Sequence, residues 1–158
     1  MNRRAPLMIP QLPAEAGVVQ TMGLLRALAN QAAGDPRIVN QARAALSLAA
    51  HPAEAIARWV RQKVRYTPDA EEAEEITHPS SIALAIDAGM IPAGDCDDMV
   101  GYAAALLRAL GLHPYMEVVG QGDQYHHVFL SLDGRRIDPT VSEFRPPFPA
   151  TRWLRLEV

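Results

Sequence analysis

The residues of this sequence best suited to chemistry are a thiol, two imidazoles and a carboxylate. The chain has a single cysteine, Cys96, which stands in the acidic stretch "GDCDDM". Two adjacent histidines, His126 and His127, come later in the chain, and Asp138 follows them. In this order the three groups correspond to a nucleophile, its general base and the carboxylate that orients the base. The pattern therefore predicts nucleophilic catalysis by a thiol.

The cysteine lies at the start of a predicted helix. Asp95 is well placed to cap a helix that runs from Cys96 to about Leu110, and Gly111 supplies its C-terminal stop. Apolar residues recur on or near the side from which the thiol projects, so we expect a central helix with a sulfur at its tip. These residues are Met99, Ala103, Leu106, Leu107 and Leu110.

The charges expected around the thiol oppose one another. A helix N-terminus favours the thiolate, because its unpaired N–H groups and its dipole stabilise negative charge. Asp95, Asp97 and Asp98 favour the thiol, unless they face solvent, backbone donors or a cation. A thiolate at Cys96 therefore also needs a positive partner, and an imidazolium is the simplest one.

A predicted β-hairpin selects between the histidines. The Asp-Gly pair at 133–134 is typical of a two-residue turn, which would set Phe129 opposite Asp138 on the paired strands. Because His127 shares a face with Phe129, it then lies diagonal to Asp138 and within reach of it. His126 points to the other face of the sheet.

The choice of His127 depends on the length of that turn. A three-residue loop would shift the parity of the strand by one residue and select His126 instead. The face of His126 is also the more apolar of the two. His127 must therefore lie at the margin of the sheet near the helix tip, or both faces of the sheet must be covered.

Helices precede strands along the chain. Apolar spacing predicts three consecutive helices, the first ending at Gly34, the second starting with Asp35 and Pro36, and the third starting at Pro52. After the helix that begins at Cys96, the apolar period changes from helical to two, which predicts antiparallel strands. This segregated order is typical of an α+β fold rather than of a doubly wound sheet.

The composition fits one globular domain of 158 residues, with 49% hydrophobic and 21% charged residues and a net charge of -3. Such a small charge argues against nucleic acid as a partner. One cysteine cannot form an internal disulfide. The sequence shows no signal peptide and no apolar stretch of membrane-spanning length, so we expect a cytoplasmic protein without a membrane partner.

Within this single domain, 1–158, we distinguish three parts. A helical N-terminal extension covers 1–50, a core covers 51–140, and a proline-rich tail with one possible last strand covers 141–158. If the substrate is a protein, the acidic stretch 69–75 and the "RPPFP" segment of the tail are candidate contact surfaces.

Several short segments together resemble a known family. They are "GDCDDMVGYAAALLRALG" around the cysteine, "HHVFLSLDGRRIDPT" after it, and "VRYTPD" and "ITHPSSIAL" before it. In their order they resemble the transglutaminase-like superfamily of papain-like cysteine enzymes, particularly its bacterial and bacteriophage cysteine peptidases. The resemblance extends from about Arg58 to Thr140 and implies a papain-like core, with the cysteine helix packed on an antiparallel sheet.

The resemblance also implies roles for individual residues. Cys96 would be the nucleophile, His127 the base and Asp138 the third member of a triad that attacks an amide carbonyl and forms a thioester. The backbone N–H of Cys96 is the expected oxyanion donor. A second donor in such enzymes commonly comes from an upstream side chain, often Gln, and here the comparable positions hold Thr77 and His78.

Further expectations follow from the family. The reaction could end in peptide hydrolysis, glutamine deamidation or transfer to an amine, with a protein or peptide as substrate. Some bacterial members bind calcium beside the cysteine, which makes Asp95 and Asp97 candidate ligands; no other cofactor is expected. The alternative is a non-catalytic structural or interaction module, for example in a phage particle or its assembly, located in the host cytoplasm or the virion.

Overall fold

Helices form most of the chain up to the cysteine helix, and antiparallel strands follow it, so the protein has an α+β fold. The structure is a computed structural model, which describes residues 7–8, 14–68, 75–122, 124–140 and 150–158. Most of the acidic stretch and the whole "RPPFP" segment, both predicted as contact surfaces, lie outside these ranges.

The three helices predicted near the start of the chain are confirmed, and two more follow them in the described part of the chain. No helix among the described residues is both long enough and apolar enough to span a bilayer. The helices are α1 (Ala14–Ala32), α2 (Pro36–Ala45), α3 (Pro52–Lys63), α4 (Pro79–Asp87) and α5 (Cys96–Ala109), with a short 3-10 helix at Leu46–Leu48.

Side-chain caps and prolines determine where three of these helices begin. Asp35 caps α2 by accepting a hydrogen bond from the amide of Arg37, at 2.9 Å. Histidines cap the next two helices: Nδ1 of His51 accepts from the Ala53 amide at 3.2 Å, and Nδ1 of His78 does the same at the start of α4. A proline follows each cap, because the first helical residue needs no N–H.

The strands form two small pairs and one larger sheet. β1 pairs with β3 in antiparallel fashion, β2 pairs with β4 in parallel, and the larger sheet is antiparallel with the order β7-β6-β5-β8. The last strand predicted in the tail is β8. The strands are β1 (Leu7–Met8), β2 (Arg65–Tyr66), β3 (Glu75–Ile76), β4 (Ala93–Gly94), β5 (Tyr115–Gln121), β6 (Gln124–Leu132), β7 (Arg135–Ile137) and β8 (Arg152–Glu157).

The two-residue hairpin between β6 and β7 is confirmed. Asp133 and Gly134 both have positive φ, at 51° and 75°, as a turn of this type requires. Leu132 pairs with Arg135, which is the register predicted from the turn. The observed pairing of β6 with β7 is therefore the one from which His127, rather than His126, was predicted to face Asp138.

The ladder between β6 and β7 is one step shorter than predicted. Its last pair joins Leu130 to Ile137, so the predicted pair of Phe129 and Asp138 is not formed. Pro139 follows Asp138 and has no N–H to donate to a strand. Asp138 therefore lies just beyond the sheet, where its backbone is free to turn.

A β-bulge, which the sequence did not predict, interrupts the pairing of β6 with β5 beside His127. Val119 pairs with His127 and Gly120 pairs with Tyr125, so His126 is the extra residue. The prediction that side chains alternate strictly between the two faces of β6 therefore fails at His126. The extra residue changes the face on which the residues before it lie. Bulges of this kind commonly re-aim side chains beside functional sites.

Helix α5 lies at the centre of the fold. The helices α1 to α4 pack against it, and β6 packs against it from the sheet. Its residues from Asp98 to Leu107 are all buried, so the helix is covered on every side and not only on the predicted face. Buried apolar residues of α1 and α2 form one hydrophobic cluster with those of α5 and the larger sheet, so the first two helices belong to the same core.

A hydrogen-bonded network crosses the helical part of this core. The indole N–H of Trp59 donates to the hydroxyl of Tyr102 at 3.0 Å, and that hydroxyl donates to Oε1 of Gln41 at 2.5 Å. The amide of Gln41 donates in turn to the Ala83 carbonyl at 2.9 Å and to the Asp87 carboxylate at 2.6 Å. The network thereby connects α2, α3, α4 and α5.

Candidate active site

Cys96 is the first residue of α5, and Asp95 is its N-cap as predicted. Oδ1 of Asp95 accepts hydrogen bonds from the amides of Asp97 and Asp98, at 3.0 and 3.2 Å. At the other end of the helix Gly111 has a φ of 75°, the left-handed conformation that terminates helices. Local sequence alone is sufficient to place the thiol at the helix tip.

The three carboxylates around the thiol have different partners. That of Asp95 faces backbone donors, and buried Asp98 accepts from the amide of Thr77 at 2.6 Å. Asp97 contacts the thiol itself, since the Cys96 Sγ donates to its Oδ1 at 3.7 Å. Gly94 leaves room for this arrangement, because a Cβ at this position would lie 2.7 Å from the Cβ of Asp98.

These surroundings favour the protonated thiol. Burial raises the pKa of Cys96 far above its ordinary value, and the negative charges of Asp97 and Asp95 raise it further. A hydrogen bond from the backbone of Val128 acts in the opposite direction but is the weaker effect. The side chain of Cys96 is therefore a thiol rather than a thiolate at neutral pH.

The contact with Val128 follows from the short β7 strand. In a two-residue hairpin, alternate residues of a strand direct their N–H and C=O groups toward the partner strand. Leu132 and Leu130 do so toward β7, and Val128 is the next residue in this series. Because β7 ends at Ile137, Val128 has no pairing partner on β7, and its backbone contacts the Cys96 thiol instead.

His127 and Asp138 are hydrogen bonded, as the register predicted. Nε2 of His127 lies 2.5 Å from Oδ2 of Asp138, and the two side chains are 19% and 2% exposed. The other carboxylate oxygen accepts from the amide and the hydroxyl of Thr140, at 3.0 and 2.6 Å. Both oxygens of the buried carboxylate are thus satisfied.

This arrangement keeps Asp138 ionised. Burial would raise the pKa of Asp138, but the hydrogen bonds from His127 and Thr140 outweigh it, so the pKa lies below its ordinary value. A carboxylate can only accept, so the neutral imidazole of His127 carries its proton on Nε2. Nδ1 is then the nitrogen with a lone pair, and it is the candidate base.

The thiol of Cys96 and the ring of His127 have no direct hydrogen bond. Among the described residues, the hydrogen bonds of the Cys96 thiol go to Asp97 and to the main chain of Val128, and none goes to His127. Val128 directly follows His127 on β6. The structure thus joins His127 to Asp138 and places the thiol against the main chain of the next residue on the same strand.

The two residues predicted for the oxyanion site have other contacts in the structure. The backbone amide of Thr77 is bonded to Asp98, and the ring of His78 caps α4 through Nδ1 while its Nε2 lies 3.3 Å from Gln31 Oε1. Both ring nitrogens of His78 thus have protein contacts. The oxyanion role of this pair stays a prediction.

The predicted calcium ligands also have roles as protein contacts. Asp95 caps α5, and Asp97 accepts from the thiol. Within the described ranges, no group of three or more His, Cys, Asp or Glu side chains could hold a metal ion. Calcium binding at Asp95 and Asp97 stays a prediction.

Two residues of the site were missed by sequence reasoning. Val128 could have been found, because the same hairpin register that selected His127 directs the Val128 amide away from β5. The other is Arg61 of α3, whose Nη1 donates to the carbonyl of Asp138 at 3.2 Å. Nothing in the local sequence of α3 indicates this contact.

No protein-family model matches the chain, and comparisons with curated proteins and with solved structures found no match.

Proposed function

We propose that this protein is a transglutaminase-like cysteine amidohydrolase, most simply a peptidase, that acts through Cys96, His127 and Asp138. The observation that supports it best is the hydrogen bond between His127 and Asp138, on a strand whose next residue, Val128, contacts the thiol. A base with its orienting carboxylate, beside a thiol at a helix N-terminus, is the arrangement of nucleophilic acyl transfer.

In the proposed reaction, Nδ1 of His127 removes the proton from Cys96 as Sγ attacks an amide carbonyl carbon. The resulting oxyanion accepts a hydrogen bond from the backbone N–H of Cys96. When the carbon–nitrogen bond breaks, the imidazolium returns its proton to the departing amine. A thioester remains on Cys96. Water or a second amine then attacks it as Nδ1 of His127 takes the proton of that nucleophile, and the released thiolate recovers this proton from the imidazolium.

The raised pKa of Cys96 affects the first step. Because the thiol rests in its protonated form, proton transfer would accompany attack on the substrate rather than precede it. The carboxylate of Asp138 stabilises the imidazolium that forms and holds Nε2 in place. Catalysis would then depend on the position of His127 more than on a preformed thiolate.

A second candidate function is a non-catalytic structural or interaction module. The observation that favours it is the thiol itself, which is half-buried and donates to Asp97 instead of to an imidazole. Cysteines that rest as thiols among carboxylates are usually unreactive. The two candidates differ in whether Cys96 can form an acyl adduct.

The test is acylation by p-nitrophenyl acetate, read as p-nitrophenolate release and as an acetyl adduct by mass spectrometry. We expect transient acetylation of Cys96 in the parent, none in Cys96→Ser, and a rate reduced about 10²- to 10⁴-fold in His127→Ala. The matched control is His126→Ala, which removes the adjacent exposed imidazole and should keep the parent rate. Equal rates in parent, Cys96→Ser and His127→Ala would overturn the enzymatic proposal and favour the module.

A further inference from the structure

Arg61 connects the helical part of the protein to the proposed site. It lies in the last turn of α3, is half-buried, and donates through Nη1 to the backbone carbonyl of Asp138 at 3.2 Å. We propose that Arg61 is a positioning residue. It holds the main chain of Asp138 in the position from which the carboxylate can accept a hydrogen bond from Nε2 of His127. This inference rests on the function proposed above and adds a residue to that site.

The backbone of Asp138 needs such support because the sheet does not hold it. Ladder pairing ends at Ile137, and Pro139 has no N–H with which to continue the strand. Thr140 fixes the rotation of the carboxylate by donating twice to Oδ1. The hydrogen bond from Arg61 fixes the main chain from which that carboxylate extends.

The positive charge of Arg61 also favours its contact with Asp138. Burial lowers the pKa of Arg61, as does the nearby charge of Arg58, whereas the carboxylates of Asp138 and Glu54 raise it. A guanidinium that has lost part of its hydration is stabilised by acceptors and negative charge. Arg61 is therefore drawn toward Asp138, and the attraction between the two charges is mutual.

Loss of Arg61 should be transmitted through Asp138 to the imidazole. A shift of Asp138 lengthens or misaligns its 2.5 Å contact with Nε2, and so weakens the hydrogen bond that orients the ring. Small displacements of catalytic groups reduce rates by up to about 10²-fold. We expect Arg61→Gln to slow acetylation of Cys96 on the order of tenfold, and Arg61→Lys to recover part of that loss.

The direct test is the ring proton of His127 in NMR spectra of the whole chain. In the parent we expect a protonated Nε2 with a strongly downfield proton, assigned by its disappearance in His127→Ala. In Arg61→Gln this proton should move upfield or broaden through faster exchange with water, and Arg61→Lys should show a smaller change. The matched control is Arg58→Gln, which removes an exposed charge one turn earlier that pairs with Glu54.

The outcomes separate this inference from the proposed function. If both Arg61 variants leave the Nε2 proton and the acetylation rate as in the parent, the positioning role is overturned, whatever the enzyme does. If Arg61→Gln does not fold, Arg61→Lys decides the question in the same spectra. If the Nε2 proton is perturbed but no acetyl adduct ever forms in the parent, Arg61 holds Asp138 as inferred and the proposed function fails.

Discussion

The helix tip and the hairpin contribute to the same site but differ in how far each is prepared for chemistry. On the hairpin, the ring of His127 is already bonded to a carboxylate whose two oxygens are satisfied. At the helix tip, the thiol of Cys96 is half-buried, lies among carboxylates, and has a raised pKa. The proposed base is organised in advance, whereas the proposed nucleophile is not activated.

This difference indicates that an assembled base does not require a reactive thiol. A helix N-terminus favours the thiolate, but Asp95 uses the first amides of α5 for its own cap. Burial and the charge of Asp97 then determine the protonation state. A cysteine with a raised pKa reacts slowly with alkylating agents and oxidants, because the thiolate is the reactive form.

Disrupting the hairpin side should have the largest effect. Asp138→Asn replaces an acceptor by a group that can also donate to Nε2, so the neutral ring takes the wrong tautomer and Nδ1 no longer accepts a proton. We expect acetylation of Cys96 by p-nitrophenyl acetate to fall about 10²- to 10⁴-fold, with the fold retained by circular dichroism. Asp133→Asn in the exposed turn is the matched control, and a normal rate in Asp138→Asn would contradict the role of the carboxylate.

Removing the charge of Asp97 at the helix tip should make the thiol of Cys96 more reactive, and so reduce the difference in activation between the helix tip and the hairpin. Asp97→Asn deletes a carboxylate that raises the pKa of Cys96, so the pKa should fall and more thiolate should be present at any neutral pH. We expect iodoacetamide to alkylate Cys96 roughly tenfold faster at pH 8 than in the parent, which corresponds to about one pH unit. Glu54→Gln, a charge deletion on exposed α3 surface, should leave the rate unchanged, and the same result in Asp97→Asn would show that this charge does not control the thiol.

The smallest effect concerns the acid stability that the hairpin contributes. A carboxyl whose pKa is lower in the folded protein stabilises it above the unfolded pKa, near 3.9, and loses this contribution as the pH falls through the folded value. Thr140→Val removes one hydrogen bond to Asp138, and should reduce the free energy of unfolding by about 1 kcal/mol at pH 7 and by less once the pH falls through the folded pKa of Asp138. Urea denaturation over a series of decreasing pH values measures this, with exposed Thr67→Val as control. A loss of the same size at every pH would mean that the hydroxyl does not act on the carboxylate.

The sequence predicted those parts of this site that are determined by turn and capping residues close to them in the chain. The Asp-Gly turn at 133–134 fixes the parity of two strands, and Asp95 fixes the start of a helix. Both are decided within a few residues of the feature in question. The turn predicted that His127 and Asp138 would lie within reach of each other, although the pair of Phe129 with Asp138 assumed in that prediction is not formed.

The rest depends on contacts between segments far apart in the sequence. The bulge at His126 arises from how β5 meets β6, and the role of Asp97 depends on which way its carboxylate turns in the folded protein. Arg61 reaches Asp138 only because α3 packs against β7. Spacing along one segment carries no information on any of these contacts.

The network around Gln41 and Tyr102 has a consequence for how the helices open. Much of the helical core consists of alanine, whose small side chain gives little resistance to sliding between neighbouring helices. Each hydrogen bond of the network is buried or partly buried, and separating one helix would leave polar groups of the others without partners. The helices α2 to α5 should therefore exchange their amide hydrogens as one cooperative unit rather than fray one by one.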